Sequence, residues 1–267
     1  MTEYRFEFKY VVDETVAKKA ESLIRTYGLS PDPINPAGEY HVTSLYFDNF
    51  HLKDYYNKSG GFLRRKKIRG RVYEKDFNSS IKSVWLEAKE RHDAETKKTR
   101  VQLSFEEWRE LLVSGPEKFL RIHSGEDERK GNGALQYILG EMIVIGRVPK
   151  VFVRYARRPY QGLYNNSKVR VTFDREMEAR GVTSGDEFFD PNHYTQTDMG
   201  VYSKKDSWYA PRWFQFEPQR VIMEIKFASV MPPWFGELVR FLEIERISIS
   251  KYARGVEVSR GYQVMPR

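Results

Sequence analysis

Five segments of this chain alternate charged and apolar side chains with a period of two, and no other feature restricts its fold as strongly. In a β-strand, residues i and i+2 share a face. Arg5, Glu7 and Lys9 would therefore share one face of a first strand, with Phe6, Phe8 and Tyr10 on the other. In LRRKKIRGRVY the shared face carries Arg65, Lys67, Arg69, Arg71 and Tyr73. Further on, Glu87, Lys89 and Arg91 alternate with Leu86, Ala88 and Glu90. Lys168, Arg170, Thr172 and Asp174 alternate with Val169, Val171 and Phe173, and Glu224 and Lys226 with Met223, Ile225 and Phe227.

Two architectures accommodate this pattern. An antiparallel sheet can turn its charged face to water and its apolar face to a core. Alternatively, the sheet closes into a barrel whose apolar outside is covered by helices, and the charged face lines the inside. Such a lumen cannot be a dry core, because burying unpaired charges is too costly. It would hold water, ions and a polyanionic ligand. Each strand alone fits the first architecture; recurrence in five strands, with Glu-x-Lys on several, favours the second.

The rest of the chain supplies the covering elements. Strands are expected at 4–12, 42–48, 63–74, 83–91, 97–103, 150–157, 168–175 and 220–228. Helical spacing of Val16, Ala20, Leu23, Ile24 and Tyr27 predicts a helix over 14–27. A short helix is expected at 51–58, others at 134–146 and 234–245, and Ser104 with Glu107 forms a capping box for a helix at 105–113. Residues 181–218 read as an irregular insertion, and 249–259 closes the chain. No linker or repeat divides it, so residues 1–267 are expected to form one α+β domain of about eight strands with peripheral helices.

Lys and Arg number 45 against 37 Asp and Glu, a net charge of +8, which suits an anionic partner without choosing one. The absence of cysteine excludes disulfides, thiolate metal sites and a cysteine nucleophile. No apolar run approaches the roughly 20 residues that span a bilayer, and the start shows no signal-peptide pattern. A cytoplasmic protein without direct membrane insertion is the expectation.

Phosphate chemistry suits a face of this kind. Arginine offers planar bidentate donors to phosphate oxygens and lysine a point charge. Carboxylates beside them make sense where a divalent cation bridges Glu to phosphate. Glu-x-Lys alone is a weak motif. No Walker A, HExxH or Gly-x-Gly-x-x-Gly run is present. His41, His51, His92, His123 and His193 are scattered and read as surface or structural residues. The basic run 64–71 has the alternative reading of a nucleic-acid patch, although alternation with Ile68, Gly70 and Val72 favours a strand. The aromatic stretch 208–216 is either a covering loop or a base-stacking platform.

SLYFDN (44–49), RKKIRGRVY (65–73), WLEAK (85–89), KKTR (97–100), VRVTFD (169–174), MEIKF (223–227) and SKYARGV (250–256) together resemble the VTC domain family in its stand-alone prokaryotic form. The resemblance spans nearly the whole chain. It implies an eight-stranded antiparallel β-barrel, a triphosphate tunnel similar to that of the CYTH enzymes. Its best-understood members polymerise polyphosphate from ATP with Mn²⁺ or Mg²⁺. By this resemblance Lys9, Arg69, Arg71, Lys89, Arg157, Arg170 and Lys251 would grip triphosphate or the growing chain, Glu224 would hold the metal, and Tyr155 would lie beside the nucleotide. Arg65, Lys67, Glu87, Arg91, Lys98, Arg100 and Lys226 complete the expected substrate-binding set. CYTH hydrolases often begin with Glu-x-Glu-x-Lys; here Arg5 takes the first position, which fits VTC domains better than a two-metal hydrolase. The implied partners are ATP and inorganic polyphosphate, not nucleic acid, with room for a membrane-protein partner. A tripolyphosphatase or nucleoside triphosphatase on the same fold and a non-catalytic polyphosphate-binding module are the alternatives.

Overall fold

The computed structural model describes residues 6–33, 38–77, 80–92, 95–123, 133–182, 212–228 and 230–260. The strands are β1 (Phe6–Asp13), β2 (Ser30–Pro31), β3 (Tyr40–Asp48), β4 (Arg64–Val72), β5 (Ser83–His92), β6 (Glu95–Ser104), β7 (Val148–Tyr164), β8 (Ser167–Gly181), β9 (Phe214–Gln215) and β10 (Arg220–Phe227). The helices are α1 (Glu14–Thr26), α2 (Lys53–Ser59), α3 (Phe105–His123), α4 (Gly133–Ile145), α5 (Pro233–Phe241) and α6 (Lys251–Ser259). Arg5, His193, all but the last residue of a loop expected at 124–133 and most of the irregular stretch expected at 181–218 lie outside the described residues.

One antiparallel sheet runs β1-β10-β8-β7-β3-β4-β5-β6, with the two-residue strands β2 and β9 paired to β7 and β8. Its strong curl is visible in one contact. Lys89 Nζ on β5 lies 2.6 Å from a Glu7 carboxylate oxygen on β1, near opposite ends of the strand order. The expected closed barrel is nevertheless corrected: β1 and β6 approach within 8 Å at Cα but share no backbone ladder, so the sheet is open. At this seam the segment after α5 takes part of the edge instead. Ile247 N–H donates to the Lys9 carbonyl at 2.9 Å, an acceptor on the strand the seam leaves unpaired.

The apolar outer face is covered in two places. α1 and α5 pack Ala17, Ala20, Ile24, Phe235 and Leu238 against Val171, Phe173, Met223 and Ile225 of β8 and β10. Asp13 caps α1, its side chain accepting from Val16 N–H at 2.8 Å. α3 and α4 cover β3 to β6, with Trp108, Leu112 and Phe119 against Leu45, Ile68 and Leu86. A Cβ on Gly70 would stand 2.1 Å from the Trp108 ring, so only glycine lets α3 sit this close to β4. The expected capping box is formed: Ser104 N–H donates to Glu107 at 2.7 Å and Glu107 N–H to Ser104 Oγ at 3.1 Å.

α6 packs inside the curl. Tyr252 and Val256 join Val42, Val151, Val153 and Ile222 in an apolar plug that fills part of the concave face. The expected strands at 150–157 and 168–175 prove to be the middle of one long hairpin. Its tight turn uses Asn165 and Asn166, both at positive φ (48° and 59°). Asparagine tolerates that region, which a two-residue hairpin turn requires.

Candidate active site on the concave face

Cross-strand register assembles the charges. Lys9 lies opposite Glu224, and Glu7 opposite Lys226. Arg69 lies opposite Glu87, and Arg157 opposite Asp174. Three carboxylate-centred clusters result. In the first, Lys9 Nζ is 2.9 Å from Glu7 and 3.5 Å from Glu224, and Lys226 Nζ is 2.8 Å from Glu224. In the second, Arg69 places Nε and Nη2 each 2.8 Å from one oxygen of the fully buried Glu87, while Lys98 pairs with the other. Arg69 also donates to Tyr46 OH at 3.0 Å, and Arg71 to Ser44 Oγ at 3.3 Å and Tyr155 OH at 3.4 Å. In the third, Arg157 grips Asp174 through two bonds of 2.6 and 2.7 Å, and Lys251 Nζ reaches it at 2.7 Å.

Burial alone would push these carboxyls up. The cations around them outweigh it. Arg69, Arg71 and Lys98 hold Glu87 below its usual range, as Arg157 and Lys251 do for Asp174. Glu224 is raised by burial and by Glu7, yet Lys226, Lys9 and Lys251 bring it down overall.

Beside these clusters cations outnumber carboxylates. A cavity of about 250 Å³ is lined by Lys9, Lys67, Lys89, Arg65, Arg91 and Lys58, with Glu7 as its carboxylate. Lys67 Nζ donates to Ser250 Oγ at 2.6 Å and pairs with no described carboxylate. Burial, then Lys9, Lys89, Lys58 and Arg65, press its ammonium well below the usual lysine range. Burial likewise lowers Lys89 to about 8 despite Glu7, and Lys98 to about 7 despite Glu87. Ser250, which caps α6, also lines this cavity, so the positive end of a helix dipole adds to the field. The arrangement suits an anion with several charges.

The structure brings most of the expected residues together here: Lys9, Arg65, Lys67, Arg69, Arg71, Glu87, Lys89, Arg91, Lys98, Tyr155, Arg157, Glu224, Lys226 and Lys251. Arg157 is distinguished from its neighbours, since Arg154 stacks on Trp213 at 4.0 Å and Arg158 pairs with Glu21 of α1. Arg170 stands nearer the rim, its Nη2 3.2 Å from both Asp32 and Tyr40 OH. Arg100 is exposed and lies over the Trp85 ring at 4.5 Å. Of the aromatic stretch, Trp213 stacks on arginines, Phe214 and Gln215 pair with β8, and Phe216 is buried in the α6 plug. Residues 208–211 lie outside the described residues. Sequence reasoning did not select Asp174, Glu7, Tyr46 or Ser250 for the site. Asp174 and Glu7 were legible from alternation; Tyr46 becomes visible once β3 is set in register with β4, and Ser250 once α6 is folded inward.

Glu224 is the expected metal ligand. Among the described residues no three His, Asp or Glu side chains group as a metal site. Glu224 is buried, and opposite it on β8 lies Thr172, whose buried Oγ1 has no partner. These residues fit a hard cation that keeps most of its ligands from water and phosphate, which is the habit of Mg²⁺ and also suits Mn²⁺.

A curled antiparallel sheet with clustered cations on its concave face and helices outside it defines an α+β domain. The sequence matches the VTC domain over residues 4–260, and the chain belongs to that family. No curated protein matches it. Among solved structures it is similar to a Bacillus halodurans protein provisionally described as an adenylate cyclase, at 14% identity and a TM-score of 0.46, covering 92% of this chain and 93% of that one. It is also similar to a protein of Pyrococcus horikoshii OT3, at 11% identity and a TM-score of 0.42, covering 94% and 96%. No helix among the described residues is long and apolar enough to cross a membrane.

Proposed function

We propose that this protein is an ATP-dependent polyphosphate polymerase. The observation that carries the reading is the cation excess around the concave cavity, where Lys67 and Lys89 are held against one another and against burial. Membership of the VTC domain family supports it. A terminal phosphate oxygen of the acceptor chain attacks the γ-phosphorus of ATP, the bond to the β–γ bridging oxygen breaks, and ADP leaves. Such a transfer needs positioning and charge neutralisation more than a covalent residue. Arg69, Arg71 and Arg157 are already fixed by Glu87, Tyr155 and Asp174, so they present donors without reorganisation. Lys67, Lys89 and Lys251 add point charges. Glu224, with Thr172 beside it, would hold Mn²⁺ or Mg²⁺, which when bound neutralises phosphate charge and polarises the transferred group.

The test is incubation of pure protein with ATP and Mn²⁺. ADP and acid-insoluble polyphosphate appearing together support the polymerase. Orthophosphate as the only phosphate product would make it a hydrolase, and polyphosphate binding without ATP consumption would make it a binding module.

A further inference from the structure

A second cavity of about 460 Å³ opens beside the first, reached by α2, α4 and the end of the β4–β5–β6 ladder. Arg65 and Arg91 line both cavities. They are direct cross-strand partners, an arrangement in which like charges repel. Burial and Arg91 together lower the Arg65 guanidinium from its usual range. Two cations are thus held side by side at the junction between the cavities.

The carboxylates of the second cavity are already engaged. Arg147 donates to both oxygens of Asp54, at 2.9 and 3.1 Å. Lys66 Nζ lies 2.9 Å from Glu141 and 3.7 Å from Glu90. Lys53, Arg64 and Lys97 also line the cavity, and none of the three makes an ion pair with a described residue. Cations therefore outnumber carboxylates in this space as they do in the inner cavity, and Arg65 and Arg91 border both.

We propose that this outer cavity is a distal binding site for linear polyphosphate. A chain seated in the inner cavity passes Arg65 and Arg91 and continues along Arg64, Lys97 and Lys53. The inference rests on the polyphosphate reading and adds a site that a chain held in the inner cavity reaches only if it is long enough to pass Arg65 and Arg91. It also gives the protein a means of holding a long product while its other end stays in the inner cavity.

The test compares tripolyphosphate with a long polyphosphate of narrow length range on wild type and on Arg64→Ala/Lys97→Ala. The wild type should bind the long chain more tightly. The double variant should lose about tenfold or more for the long chain, stay within about twofold for tripolyphosphate, and show a salt slope shallower by about one to two. Lys53→Ala, on a different element, should repeat the selective loss in smaller measure. Equal losses for both ligands, or none, would overturn the distal site and leave the function standing. A wild type that binds neither ligand overturns both. Competition by single-stranded DNA of matched charge, equal to that of polyphosphate and lost in the double variant, would assign the cavity to nucleic acid and overturn the proposal.

Discussion

Asp174 and Lys67 share the concave face and are built on opposite principles. Asp174 is fully buried, and both its oxygens are taken, two bonds from Arg157 and one contact from Lys251. Each cation there touches a carboxylate, and the Asp174 carboxyl falls below its ordinary range even though burial opposes this. Lys67 has a hydroxyl for a partner and four cations for neighbours. The first arrangement is architecture: it locks β7, β8 and α6 together and sets the direction of Arg157. The second is repulsion held in place by the fold, to be relieved by an anion.

The largest expected effect breaks the first arrangement. Asp174→Asn leaves Arg157 and Lys251 buried without a counter-charge, which costs about 3–5 kcal/mol. Urea denaturation should show the loss directly. An Asp174→Asn protein as stable as the wild type would show that the cluster is not what holds α6 in the curl.

Glu224 stands between the two kinds of site. It is engaged by Lys9 and Lys226 like a structural carboxylate, yet it lies opposite the unpartnered Thr172 hydroxyl. Glu224→Gln should fold, still bind polyphosphate, and lose turnover about a hundredfold, the few kcal/mol that metal stabilisation of a phosphoryl group supplies. Added Mn²⁺ should restore part of it. Full activity with an unchanged Mn²⁺ optimum removes Glu224 from the metal site; lost stability with unchanged metal dependence makes it only an ion-pair partner.

Lys67→Met sharpens the comparison from the other side. Removing a cation from among cations should leave stability unchanged or raise it. Affinity for polyphosphate should fall about tenfold to a hundredfold, the value of one hydrogen bond to a charged group. Calorimetric titration and urea denaturation on the same samples separate the two. A destabilised variant with normal affinity would make Lys67 a structural residue.

The charged face of the sheet was legible because alternation with a period of two is a local property of sequence. Glu7, Lys9, Arg69, Arg71, Glu87, Lys89, Glu224 and Lys226 all follow from it, and register then brings them together. What alternation cannot give is closure. The seam between β1 and β6 is set by contacts between residues far apart in the chain, such as Ile247 N–H on the Lys9 carbonyl. The long β7–β8 hairpin was hidden for a different reason. Its turn is Asn165-Asn166 rather than the Asn-Gly that most readily marks such turns. α6 was unassigned because its packing depends on Gly255, where a Cβ would stand 2.8 Å from Val153, and glycine by itself argues against a helix. Hence Ser250, which the inward helix brings to the site, could not be placed there by alternation, whereas Tyr46 arrives through the β3–β4 register opposite Arg69.

The smallest expected effect follows from the depressed lysines and has two opposite faces. Lys98 sits at about 7 and Lys89 at about 8, chiefly because burial opposes their charge. In the unfolded chain both would keep their protons to about 10.4. Between about pH 7 and that value the unfolded chain therefore holds more protons, and the ligand-free fold should gain stability as pH rises. Both side chains reach solvent, at 37% and 30% exposure, so screening keeps the gain small. Polyphosphate favours the protonated ammonium groups, so its affinity should fall across the same window. Long chains are the right ligand, because their internal phosphates do not titrate there. Urea midpoints and calorimetric titrations from pH 7 to about 9.5 should slope in opposite directions, and Lys98→Met should flatten the lower part of both curves. Ligand-free stability that falls with rising pH would mean that these lysines are already compensated in the empty fold, and the contrast between Lys67 and Asp174 would lose its electrostatic basis.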